Sequence, residues 1–178
     1  MAIPSSVKHR QIHITVGDQH ADIDKEIVPL IREIWRADIV TLQSCQDSPP
    51  GWIWLEFASS FDVEKFLDII GAYESTVGSF HDRILQGYDR ISRPRVGQWR
   101  YEAIVHDLGV DIVEDGAGER EEYAGSPDFA VFISVTLPSS DLPQVLARLK
   151  RFRRRQSRQA KDADRQNGLG SNRTAKVP

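Results

Sequence analysis

The chain contains one cysteine, Cys45, among 178 residues. A single thiol excludes an internal disulfide and any site built from several cysteines, such as a four-cysteine zinc centre or an iron–sulfur cluster. Long apolar runs are missing too. The longest, Phe129 to Leu137, is nine residues and contains Ser134 and Thr136, far short of the roughly 18 to 20 residues that span a bilayer. No membrane partner is expected. Met1 to Arg10 lacks the apolar stretch a secretory signal requires. With the lone thiol, this predicts a cytoplasmic protein. The common signatures are absent as well: there is no G-x-x-x-x-G-K-[ST] phosphate loop, no strand-borne G-x-G-x-x-G, no H-E-x-x-H and no G-x-S-x-G elbow. Gly116-Ala117-Gly118 is too short, and too surrounded by carboxylates, to cradle a phosphate.

What is present is an ordinary globular composition, 40% hydrophobic and 28% charged, in a chain long enough to bury a core without metal or disulfide staples. The net charge of −3 conceals a division. Residues 1–147 hold 12 of the 23 Lys and Arg but 24 of the 26 Asp and Glu, a balance of −12, whereas residues 148–178 carry +9. The charge pattern and apolar periodicity together predict an N-terminal arm over 1–10, a single domain over 11–152 and a basic, mostly disordered tail over 153–178.

Within the domain, Gln11 to Val16 alternates as a half-buried strand does. After the turn at Gly17-Asp18, Asp22 or Asp24 is placed to cap a helix. Its stripe runs through Ile23, Ile27, Leu30, Ile31, Ile34 and Trp35, and Pro29 makes a late start or a kink necessary. Strands follow at Ile39 to Ser44 and Trp52 to Phe57, then a helix capped by Ser59 or Ser60 with Val63, Phe66, Leu67 and Ile70 on one face. Phe80, Ile84 and Tyr88 hint at a short helix, and Arg93-Pro94-Arg95 marks a loop. Further strands fall at Trp99 to Leu108 and Phe129 to Leu137, flanking an acidic hairpin loop at Gly109 to Asp128. The last helix carries Leu142, Val145, Leu146, Leu149 and Phe152. The expected fold is therefore α+β: a mainly antiparallel sheet of about five strands with helices on one face. Two ββα units follow an N-terminal βα, and the ferredoxin-like arrangement is the nearest template.

Chemistry has few places to sit. Thr41-Leu42-Gln43-Ser44-Cys45-Gln46-Asp47 gathers polar groups and the thiol at a strand end, where a scaffold commonly holds binding residues. Cys45 is the candidate nucleophile, with Asp24 beside it as a second candidate catalytic group and Ser44 and Gln46 as binding residues. The structural alternative is a small buried residue, since free cysteine is often buried. The pattern Asp24-x-x-Ile27-x-Pro29-Leu30-Ile31-x-x-Ile34-Trp35…Thr41-x-x-Ser44-Cys45-Gln46 resembles one found in small bacterial and phage proteins of unassigned function. It is also distantly similar to the wybutosine-synthesis methyltransferase family, where an I-x-P-L helix precedes a T-x-S-S-C-S-G-R turn. That likeness covers about 25 residues. This chain has Gln46-Asp47-Ser48 where the family has Ser-Gly-Arg, so methyl transfer is not carried over. The resemblance implies that the Asp24 helix and the Cys45 turn belong to one structural unit.

The histidines His9, His13, His20, His81 and His106 could join Asp22, Asp24 or Glu56 around a metal, and His13 and His106 could meet across a sheet. No pair has tight helical ligand spacing, however, so the sequence predicts no metal site and no cofactor. Glu114, Asp115, Glu119, Glu121 and Glu122 read as solvated loop carboxylates. Trp52 and Trp54 share a strand face; they are core, or else an interface for a homo-oligomer. Arg151, Arg153, Arg154 and Arg155 open a basic run that fits nucleic-acid phosphates or another acidic partner, without aromatic residues for base stacking. Its structural alternative is a solvated helix end that complements the helix dipole. The expected function is a non-catalytic binding or scaffold domain with a basic tail. The alternative is an enzyme or small-ligand protein with a pocket around Cys45 and Asp24.

Overall fold

The computed structural model describes residues 9–47, 49–71, 80, 83–84, 99–107, 110–115, 118–123 and 129–170, with the backbone alone at 107, 110–115, 118–123 and 165–170. The alternating first segment forms β1 (Gln11–Val16), which pairs antiparallel with β2 (Gln19–Asp24) and, among the described residues, with no other strand. Gly17 turns the pair at φ 59°, a left-handed conformation open to it because it lacks a Cβ. The N-terminal unit is thus ββα rather than βα. Ile23 fits the helical spacing but lies on β2, its side chain buried with Ile14 and Ile27.

Helix α1 (Val28–Arg36) starts late, with Pro29 in its first turn. The missing proline N–H costs nothing there, because first-turn amides have no intrahelical partner. Neither Asp22 nor Asp24 caps it: the N-cap is Ile27, without a side-chain bond. Asp24 is engaged elsewhere, as described below. Leu30, Ile31, Ile34 and Trp35 are buried, and Trp35 Nε1 donates to Thr41 Oγ1 at 2.9 Å, fixing the start of the next strand.

β3 (Thr41–Gln46), β4 (Trp52–Phe57) and α2 (Ser60–Gly71) follow. Ser59 caps α2: its hydroxyl accepts from the Asp62 N–H at 3.1 Å and donates to the Asp62 carboxylate. The same carboxylate accepts from the Val40 N–H at 2.8 Å and ties the helix to the strand start. The chain continues through β5 (Arg100–Asp107), the hairpin β6 (Val110–Asp115) and β7 (Gly118–Tyr123), then β8 (Phe129–Pro138). A short 3-10 turn leads into α3 (Leu142–Gly170).

The main sheet has four strands, ordered β3-β4-β8-β5 and antiparallel throughout, instead of the five expected. The alternation of β1 looks like a main-sheet strand, but its ladder is satisfied by β2. Leaving aside the β6–β7 hairpin, the main sheet and its helices run ββαββα, which differs from the βαββαβ order of a ferredoxin-like fold. The fold class is α+β, as expected. Ile53, Leu55, Phe57, Val135 and Leu137 form the buried sheet face, covered by Leu30, Ile31, Ile34, Val63, Phe66, Ile70, Val145 and Leu149 of the helices. Phe57, Phe66, Trp99 and Phe80 make a chain of ring contacts at 5.2 to 6.4 Å.

Helix α3 continues through residues 153–170, where the sequence predicts disorder. Of the short helix expected through Phe80, Ile84 and Tyr88, helical geometry is described at Phe80, Arg83 and Ile84. The rest of Tyr73 to Gln98, the arm before His9 and the residues after Gly170 lie outside the described residues.

Candidate functional site

The end of β2 meets the end of β3 through one buried carboxylate. Asp24, 4% exposed, accepts the Gln46 N–H on Oδ2 at 3.0 Å, and Gln11 Nε2 approaches its Oδ1 at 3.4 Å. Gln46 in turn is clasped by Glu26. Its Oε1 accepts the Glu26 N–H at 3.2 Å and its Nε2 donates to Glu26 Oε2 at 2.8 Å. These bonds join the β1–β2 hairpin to the edge of the main sheet. They also explain why Asp24 is not a helix cap: it accepts the outward-facing amide of an edge strand, at Gln46.

Around this joint lie His9 and Cys45. Lys25 N–H donates to Arg10 O at 2.9 Å, which prolongs the β1–β2 ladder and sets His9 beside the β2–α1 turn. Gln46 Nε2 lies 3.3 Å from His9 Nδ1. Cys45 is the penultimate residue of β3 rather than part of a turn, half-buried, and its thiol donates to Gln46 O at 3.3 Å. One donor atom each from His9, Asp24 and Cys45 lies within 4.8 Å of the others. The sequence names Asp24, Cys45 and Gln46 as candidates, and the structure brings them together. Of the five histidines, the one that joins them among the described residues is His9. Its place was hidden because the arm that carries it is distant from Cys45 in sequence.

Electrostatically the joint is one-sided. Among the described residues no Lys or Arg pairs with Asp24 or Glu26. The contrast is Asp141, 3% exposed, which meets Arg83 through both carboxylate oxygens and accepts Trp99 Nε1–H at 2.9 Å.

The other candidates are dispersed. Ser44 lines a cleft of about 240 Å³ between β2 and β3 with Asp22, Trp35 and Gln43, and its hydroxyl has no hydrogen-bond partner among the described residues. Trp52 and Trp54 are half-buried on the sheet face away from the helices. The Arg100 guanidinium stacks over Trp52 at 4.7 Å, and Cys45 is the cross-strand neighbour of Trp54. The most exposed apolar side chains on the main sheet are instead Val105, Phe129 and Val131. His13 and His106 stand in different sheets. His13 pairs with Asp22 at 2.9 Å, whereas His106 Nε2 contacts the buried Glu56 carboxylate at 2.5 Å.

Arg153 sits 3.2 Å from the buried carboxylate of Glu33 on α1, which Arg36 also meets at 3.0 Å. Arg151, Arg154 and Arg155 are exposed on α3, as are Arg158 and Lys161. The sequence matches no protein-family model, and no curated protein or solved structure shows a match to it. Among the described residues no helix is long and apolar enough to cross a membrane.

Proposed function

We propose that this chain is a non-catalytic binding domain that presents a rigid basic helix to nucleic-acid phosphates. The observation that carries the reading is the exposed half of α3. Arg151, Arg154, Arg158 and Lys161 recur at steps of three, four and three, which sets them along one helix face, with Arg155 beside them. Arg154, Arg155, Arg158 and Lys161 make no ion pair among the described residues, and the acidic residues Asp162 and Asp164 leave them unpaired. At 1.5 Å per residue the stripe from Arg154 to Lys161 is about 10 Å long, enough to follow more than one phosphate.

Two features support a presented helix rather than a loose tail. Val145 and Leu149 are buried in the core, and Arg148 and Arg153 are tied to the body. The helix therefore leaves the domain in a fixed direction. The acidic body repels a polyanion and concentrates attraction on the helix. Without aromatic side chains on the stripe, binding would be electrostatic and indifferent to sequence.

The test compares the full chain with a variant carrying Arg154→Gln, Arg155→Gln, Arg158→Gln and Lys161→Gln, by fluorescence anisotropy on labelled duplex and single-stranded DNA at low salt. The expected result is a loss of at least about tenfold in affinity. Equal binding by the two proteins would overturn the proposal.

A further inference from the structure

We infer that His9, Asp24 and Cys45 form a site for one divalent transition-metal ion of borderline softness, with zinc as the best match. The three side chains come from the segment before β1, the end of β2 and the end of β3, and their donor atoms stand within 4.8 Å of one another. Donors around a tetrahedral zinc stand roughly 3.3 to 3.7 Å apart, as bond lengths near 2.0 to 2.3 Å require. A contraction of about 1 Å closes the site, and small rotations of the half-buried His9 and Cys45 side chains can supply it.

Charge argues for the same occupant. Asp24 and Asp141 are equally buried, yet Asp141 has an arginine and an indole N–H while Asp24, among the described residues, has only amide donors. Burying a carboxylate without a cation is costly. A carboxylate, a thiolate and a neutral imidazole together carry two negative charges, which one divalent ion cancels. On binding, the Cys45 thiol releases its proton to water and exchanges its bond to Gln46 O for one to the metal. The mixed nitrogen, oxygen and sulfur donors disfavour magnesium and calcium, which take oxygen ligands, and suit zinc or cobalt. Three protein donors leave one tetrahedral position for solvent or a ligand.

The experiment titrates cobalt(II) into the metal-free full chain, watching for thiolate-to-cobalt charge transfer, and then displaces it with zinc. The expected result is one ion per chain. The charge-transfer band should vanish in Cys45→Ser, and zinc should bind at least about 100-fold more weakly in His9→Gln, since even outer partners cost 10- to 100-fold. Asp24→Asn keeps an oxygen acceptor for the Gln46 N–H while removing the charge. It should fold, as circular dichroism would verify, and also lose affinity. Identical titrations of wild type and Cys45→Ser, or alkylation of Cys45 that saturating zinc does not slow, would overturn the inference; the latter would point to a free nucleophile instead.

Discussion

The two halves of α3 use the same residue type for opposite ends. In the first half, Arg148 donates to the carbonyl of Ile70 at 2.5 Å and lies over the Phe80 ring at 4.8 Å. Arg153 reaches the buried Glu33 of α1. In the second half, Arg154, Arg155 and Arg158 are exposed and make no ion pair among the described residues. Arginine itself does not decide the outcome; the position of the nearest acceptor on the packed body does. An arginine with a buried acceptor fastens the helix, and one without is left to a partner.

The comparison breaks first at its apolar root. Leu149→Ala should cost about 2 to 5 kcal/mol in urea unfolding followed by tryptophan fluorescence, because a fully buried leucine leaves a cavity on truncation. Glu33→Ala removes the acceptor shared by Arg36 and Arg153. Its expected cost is about 1 to 3 kcal/mol, smaller because each arginine is partly exposed and can rehydrate. On the opposite sheet face, His106→Ala takes away the contact to the buried Glu56 carboxylate. It should cost about 1 to 3 kcal/mol by the same measurement while leaving nucleic-acid binding unchanged. The smallest effect belongs to the exposed half. Arg154→Gln with Arg158→Gln should change stability by less than about 0.5 kcal/mol in the same unfolding measurement.

Much of the fold was legible. The strands β4, β5 and β8, a cap at Ser59 or Ser60 and the late start of α1 at Pro29 follow from short apolar runs, capping chemistry and the missing proline amide. β2 was not, because Gln19 to Asp24 has a weak pattern in which Ala21 and Ile23 are the only apolar residues. Ile23 also stands four residues before Ile27, a helical spacing. The extension of α3 escaped because residues past Phe152 carry no apolar stripe. Arg, Gln, Lys and Ala are nonetheless good helix formers, and a helix already nucleated on Val145 and Leu149 grows into them at little further cost. At the candidate site, the strand-end position singled out Cys45 and Gln46. His9 could not be found by spacing, since it is brought to them by strand pairing and by the Asp24–Gln46 bond.

The salt dependence of duplex binding separates the two halves of α3 most directly. For each phosphate neutralised, the slope of log affinity against log salt steepens by about 0.9. Replacing Arg154, Arg155, Arg158 and Lys161 by glutamine should make that slope shallower, by up to about 0.9 per side chain, at unchanged unfolding midpoint. A slope that stays the same in the variant would contradict the assignment of α3 as the phosphate-binding element.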